Sequence, residues 1–190
     1  TNEQVRKKMR YEFGVKDSDV LVLFLGRFKK DKGILELIKA FTLIHSESSN
    51  FVLWCVGPDE ENLTKILANT KGVRIFSYTQ RPEDFMVSAD FLCIPSYREG
   101  FGTAVIEAAA CGIPSIGTNI YGLSDAIING KTGILVEPAS HLAIMKALRT
   151  LYENEELRNK MGKAASLRAN KIFSSEFFTN EIVIFYKKLL

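Results

Sequence analysis

The sequence predicts an α/β fold: a doubly wound, mostly parallel sheet of six strands with helices on both faces. Three observations predict it. Short apolar runs alternate with segments of helical periodicity along the whole chain, the pattern of strand–helix–strand units. The runs are apolar throughout rather than at every second residue, as strands covered on both faces must be. The first two runs end at glycine, Gly26 and Gly57, where a chain leaving a sheet turns.

The elements follow in order. Residues 2–13 read as a charged helix with no strand before it. Val20–Leu25 is the first strand, and Ile34, Leu37, Ile38, Phe41 and Ile44 then recur at helical spacing. Phe51–Val56 is the second strand, followed by a short helix marked by Leu63, Ile66 and Leu67. Val73–Phe76 is the third strand, Pro82 opens another short helix, and Phe91–Ile94 is the fourth strand. Residues 103–111 form an alanine-rich helix stopped by Gly112. Residues 114–117 hold a fifth strand and Gly133–Val136 a sixth. Helices are expected at 141–152, 155–170 and 175–190. The last is apolar nearly all round, through Phe177, Phe178, Ile182, Phe185, Leu189 and Leu190 among others. A one-sided surface helix has no need of that. Either it packs on two surfaces, one supplied from outside this chain, or its own domain buries it.

A length of 190 residues fits one domain with a single core. With 46% hydrophobic and 25% charged residues the composition is that of a globular protein. No apolar run reaches the roughly eighteen residues that span a bilayer, and residues 1–30 lack a signal-peptide pattern. The first residue is Thr1, from which a fragment of a longer chain is expected. A net charge of +3 does not by itself point to nucleic acid. Basic residues between Lys146 and Lys171, with Lys187 and Lys188, read as solvated helix faces; weak attraction to an anionic membrane is the alternative. Cys55, Cys93 and Cys111 are too far apart for a disulfide framework, and no Cys or His pair has metal-ligand spacing. Cys55 and Cys93 are expected to be buried, and His45 and His141 to be surface or structural.

In an open α/β sheet, ligands bind beyond the carboxyl ends of the strands. Two loops there carry chemistry. The first, Gly26-Arg27-Phe28-Lys29-Lys30-Asp31-Lys32-Gly33, holds four cations in six residues and runs into a helix at Gly33. The free N–H groups at that helix start favour an anion, and a diphosphate fits. A solvated basic loop is the plainer alternative. The loop carries neither a dinucleotide G-x-G-x-x-G nor a phosphate-loop G-x-x-x-x-G-K-[ST] pattern. The second loop, Pro95-Ser96-Tyr97-Arg98-Glu99-Gly100-Phe101-Gly102-Thr103, brings glycine backbone and a second helix start to the same crevice. Glu107 stands one turn into that helix, roughly 6 Å along its axis, among Val105, Ile106, Ala108, Ala109 and Ala110. A carboxylate there needs partners. Sugar or ribose hydroxyls would serve, and so would a salt bridge or solvent. Cations for phosphate and carboxylates for hydroxyls are together what a nucleoside diphosphate sugar requires.

At these residues the chain resembles the donor-binding domain of the retaining, two-Rossmann-domain (GT-B) glycosyltransferases of family 4, from about Arg6 onward. Pro95 to Ala108 contains the family's Glu-x7-Glu pair as Glu99 and Glu107. Gly26-Arg27-Phe28 with Lys32-Gly33 is similar to its phosphate loop, and Gly112-Ile113-Pro114 and Asn129 to Val136 match two further stretches. The resemblance implies a Rossmann-like fold. It assigns the donor diphosphate to Arg27 and Lys32, with Gly26 in the same loop. Glu99 would meet hydroxyls of the transferred sugar, as a covalent nucleophile on a weaker reading. Backbone N–H groups of Gly100, Phe101, Gly102 and Thr103 would approach sugar and phosphates, and Glu107 the ribose. Gly57-Pro58 and residues 77–81 would border the base. It implies no cofactor, no metal, a nucleotide-sugar donor that is UDP-linked by default, and a glycan, lipid or small-molecule acceptor. The acceptor site belongs to an N-terminal domain that the family's last helix crosses to meet, so the chain alone is expected to be inactive.

The chain departs from the family pattern at Ser77, where glycine is usual. It departs again at Tyr121-Gly122 and Asp125, where a glycine pair and a glutamate are usual. These bear on which donor is bound. Three other classes compete: a non-catalytic nucleotide-sugar-binding module, a sugar-nucleotide epimerase of similar architecture, and a purely structural domain. The nucleotide-sugar pool and the missing export signal imply a cytoplasmic location, peripheral to the membrane if the acceptor is lipid-linked.

Overall fold

The computed structural model of the protein describes residues 2–187. Its element order is α1 (Asn2–Glu12), β1 (Val20–Leu25), α2 (Ile34–His45), β2 (Phe51–Val56), α3 (Thr64–Ala68), β3 (Val73–Phe76), α4 (Pro82–Ser88), β4 (Phe91–Ile94), α5 (Thr103–Ala110), β5 (Ser115–Thr118), α6 (Leu123–Ala126), β6 (Gly133–Val136), α7 (His141–Glu153), α8 (Glu155–Ile172) and α9 (Ser175–Lys187). The six strands form one sheet in the order β3-β2-β1-β4-β5-β6, and every pairing is parallel.

Because β1 is buried along both faces, its side chains divide between two cores. Val22 and Phe24 point to a layer with Ile34, Leu37 and Phe41 of α2 and Ile144 and Leu148 of α7. Leu21 and Leu23 point to the opposite layer with Phe85 of α4 and Val105 and Ala108 of α5. Each fully buried Leu, Ile or Phe contributes about 2 kcal/mol of transfer free energy. Cys55 and Cys93 are buried on β2 and β4, where burial pushes both thiols up and leaves them inert. His45 stacks on Phe41, and its Nδ1 lies 2.8 Å from the Phe51 carbonyl.

The structure alters several expected boundaries. The fifth strand begins at Ser115 and runs to Thr118: Pro114 has no N–H to give, although its carbonyl accepts from Leu92 N at 3.0 Å. α5 ends at Ala110, with Cys111 as its cap, while α7 and α8 run on to Glu153 and Ile172. The four-residue α6 and a 3₁₀ turn at Lys30–Lys32 are too short for periodicity to reveal.

The charged α1 is held by two arginines rather than by a strand. Arg10, 3% exposed, donates to the carbonyls of Lys16, Asp19 and Ser88 and to Asp90 Oδ2. Arg6 donates to Asp90 Oδ1 at 2.7 Å and to the carbonyls that end α4. Asp90 Oδ2 also accepts Leu21 N at 2.6 Å, so one carboxylate joins α1, α4 and the starts of β1 and β4. Just beyond α1, Phe13 sets its ring edge-on to Trp54 and Phe76. At the other terminus, residues 175–187 are all exposed, including Phe178 at 67% and Tyr186 at 62%. Among the described residues nothing buries α9, against the expectation that its own domain would. Leu189 and Leu190 lie outside the described residues.

Removing the shared carboxylate leaves the buried Arg10 and the partly buried Arg6 without their anionic partner. Asp90→Ala is therefore expected to destabilise the domain by about 3–5 kcal/mol, measured as the midpoint shift in urea unfolding at unchanged slope.

Candidate functional site

The strand order reverses between β1 and β4. β1 leads into α2 on one face, and β4 leads into α5 on the other. The two loops diverge and leave a crevice beyond the strand ends. A cavity of about 440 Å³ lies there, lined by Gly26, Arg27, Lys32, Ser96 and Glu99 and by residues 100–105. Thus Gly26, Arg27, Lys32, Glu99, Gly100, Phe101, Gly102 and Thr103 come together as the sequence predicted. Gly57 and Glu107 do not line this cavity.

Backbone packing holds the two loops in register. Gly33, at φ 66°, caps the start of α2 and lies against Pro95; a Cβ there would sit 2.0 Å from the Pro95 carbonyl oxygen. Only glycine permits that approach. Tyr97 N donates to the Asp31 carbonyl at 2.8 Å. The Tyr97 hydroxyl is held up to about 12 by burial and by Glu36. On the other side of the sheet's midline, Thr118 Oγ1 donates to the Ser96 carbonyl.

The loops are also joined by charge. Lys32 Nζ meets Glu99 Oε1 at 2.7 Å, and Ser96 Oγ donates to the same oxygen at 2.8 Å. Both partners of this ion pair are largely sheltered, with side-chain exposures of 15% and 20%. Arg27 is more open and pairs with Glu60 at 3.3 Å, an interaction absent from the sequence reading. Lys29 reaches the same carboxylate at 3.5 Å. Glu60 follows Asp59, whose carboxylate accepts the backbone N–H groups of Glu61, Leu63 and Thr64. Hydrogen bonds from Thr64, then from Leu63 and Glu61, hold Asp59 at about 2 against an ordinary 3.8. Gly57 has a packing role: a Cβ there would sit 2.0 Å from the Gly26 carbonyl oxygen.

α5 opens into the cavity behind Gly102, at φ 70°. Its unpaired N–H groups and the two cations make this end of the crevice a place for an anion. Glu107 lies farther along α5. The residue is exposed, but partial burial of its carboxyl and then the nearby Glu83 push its pKa up. A diol donating to that carboxylate would reverse the penalty. Among the described residues no three His, Cys, Asp or Glu side chains group as metal ligands, and no helix is long and apolar enough to cross a membrane.

Residues 5–168 match the family model described as glycosyl transferases, group 1. The chain belongs to this family. Among curated group 1 relatives, it is 32% identical over 180 residues to the capsular polysaccharide biosynthesis glycosyltransferase CapM of Staphylococcus aureus, covering 92% of this chain and 47% of CapM. It is 34% identical over 177 residues to the D-inositol 3-phosphate glycosyltransferase of Corynebacterium glutamicum, covering 86% of this chain and 42% of that enzyme. The chain spans about half the length of the curated relatives it matches. In structure it superposes on HepE of Anabaena in complex with UDP with a TM-score of 0.90 at 20% identity, over 99% of this chain and 54% of HepE. It also matches the C-terminal domain of the group 1 family protein LpcC of Francisella tularensis, with a TM-score of 0.77 at 20% identity. That match covers 90% of this chain and 93% of the LpcC domain. The fold is the GT-B Rossmann-like domain.

The turn that Asp59 holds carries a pH signature. Its folded pKa is depressed, so its stabilisation is complete above the unfolded value of 3.8 and is lost as pH falls through about 2. The melting-temperature difference between wild type and Asp59→Asn is expected to be flat from pH 7 to about 5 and to shrink toward zero near pH 2.

Proposed function

We propose that the chain is the donor-binding half of a retaining, metal-independent family 4 glycosyltransferase that uses no cofactor. The observation that carries this reading is the convergence of Arg27, Lys32, Glu99 and the start of α5 on one cavity at the switch point of the sheet. Arg27 and Lys32 hold the diphosphate of a nucleotide sugar. They offset the charge that grows on the nucleoside diphosphate as the sugar leaves. The N–H groups of residues 100–103 face the same phosphates. Glu99, freed from Lys32 once phosphate replaces it, accepts hydrogen bonds from sugar hydroxyls. Glu107 takes the ribose diol outside the cavity proper, and the Gly57 turn borders the base.

Retention follows from attack on the same face that the leaving group vacates, the donor phosphate accepting the acceptor's proton. The acceptor, a glycan, lipid or small molecule, is bound by an N-terminal half. The coverage of about half of each relative supports this, as does α9, whose exposed apolar surface is suited to packing against such a half. Without that second wall the donor is neither oriented toward an acceptor nor shielded from water, so this chain alone binds and does not transfer. The reaction belongs to the cytoplasm, where nucleotide sugars are made, and to its membrane face when the acceptor is lipid-linked. UDP is the first nucleotide to test, because HepE was crystallised with UDP and with UDP-glucose.

Calorimetric titration with UDP, GDP and ADP tests the assignment. One of them is expected to bind with a dissociation constant on the order of 0.1–1 mM. Arg27→Ala and Lys32→Ala should each weaken it about tenfold, as loss of one charge-assisted contact does, and Glu107→Ala should weaken it less. Equal binding by wild type and both cation variants, or absence of binding at millimolar nucleotide, would overturn the reading.

A further inference from the structure

The carboxyl end of α8 reaches the glycine loop by two routes, and the family motifs include neither. Phe173 caps α8, its N–H bonded to the Ala169 carbonyl at 3.0 Å. Its ring stands edge-on to Phe101, with centroids 5.7 Å apart and planes at 81°. Phe101 is the half-exposed side chain of the loop whose backbone lines the cavity. The second route runs through α6. Arg168 lays its guanidinium over the Phe173 ring, 4.7 Å from the centroid. The same group donates to the carbonyls of Asp125 at 2.8 Å and Ala126 at 3.0 Å, which close α6. The opposite end of α6 presses on the loop: a Cβ at Gly122 would lie 2.8 Å from the carbonyl oxygens of both Glu99 and Gly100. A Cβ at Gly102 would lie 2.9 Å from Leu123 Cδ2.

Phe101 and α6 are thus both gripped by residues five positions apart at the end of one helix. Neither Phe173 nor Arg168 lines the cavity itself. We propose that Phe173 and Arg168 are positioning residues that clamp the Glu99–Gly102 loop, so that the joint between α8 and α9 sets the strength of donor binding. An aromatic pair of this geometry favours one orientation of Phe101 over the others open to an exposed ring. A guanidinium that stacks and donates at once fixes its two neighbours relative to each other. Because α9 leaves the domain directly after Phe173, a shift of α9 is transmitted to the loop. This rests on the reading of residues 100–103 as the donor loop.

Two measurements on the chain test it: ¹⁵N order parameters of Gly100, Phe101 and Gly102, and UDP titration. Phe173→Ala is expected to lower the order parameters from about 0.85 toward about 0.6. It should weaken UDP by about three- to tenfold, the range for loss of one aromatic pair. Phe173→Tyr should keep both values, and Arg168→Met should move both in the direction of Phe173→Ala. Leu167→Ala, at an exposed position on the same helix, should move neither. In a Phe101→Ala background, Phe173→Ala should have no further effect on UDP. Unchanged order parameters in folded Phe173→Ala would overturn the clamp, and so would an equal loss of affinity in the Phe101→Ala background. The donor reading fails separately, if Arg27→Ala and Lys32→Ala bind UDP as wild type does.

Discussion

The position of β1 is the constraint on which the rest of the structure depends. The first strand lies in the middle of a parallel sheet, flanked by β2 and β4. Every parallel neighbour must be reached by a crossover that carries the chain over a face. The chain covers one face while building outward through β2 and β3, then returns to β4 and covers the other. Between β1 and β4, at the middle of the sheet, the neighbouring loops part toward opposite faces, one into α2 and the other into α5. The cavity is the gap left by that parting. Its walls are close enough to act together because Gly33 has no side chain to keep α2 away from Pro95.

Within that gap the protein neutralises itself. Lys32 is paired with Glu99 and Arg27 with Glu60, so the cations that face the cavity are already partnered. On the proposed function, an incoming diphosphate would exchange partners rather than meet bare charge, and its gain would be the difference between two electrostatic interactions. The sheltered Lys32–Glu99 pair is the costlier one to open. The exposed Arg27–Glu60 pair opens readily and weakens further with salt. On the proposed mechanism the exchange has a use: the anion that draws Lys32 away releases the Glu99 carboxylate for hydroxyls.

Strands were the most legible part of the sequence. The limits of β1, β2 and β4 could be read closely because these strands are buried and run as uninterrupted apolar stretches, whereas β3 at the sheet edge carries the exposed Arg74. The fifth was displaced by one residue because proline carries half of a strand's hydrogen-bonding capacity. The cavity-lining residues were legible as well, since cations, glycines and helix starts at strand ends have a short list of uses. What stayed hidden depends on neighbours distant in sequence. Glu60 reads as one acid among three until the turn after β2 lays it on Arg27. Arg10 reads as a surface cation on a charged helix until Asp90, eighty positions away, accepts from it where the guanidinium is buried. Phe173 follows a basic stretch and belongs to no motif; only folding sets its ring against Phe101.

The exposure of α9 also divides the molecule's stability. No residue of this helix is buried, so its opening breaks no core contact. A thirteen-residue helix supported by propensity alone is marginal in water. Its amide protons would therefore exchange through local fraying, while those of β1 and β2 would wait for global unfolding. One chain would then report two protection levels, with the boundary between them at Phe173.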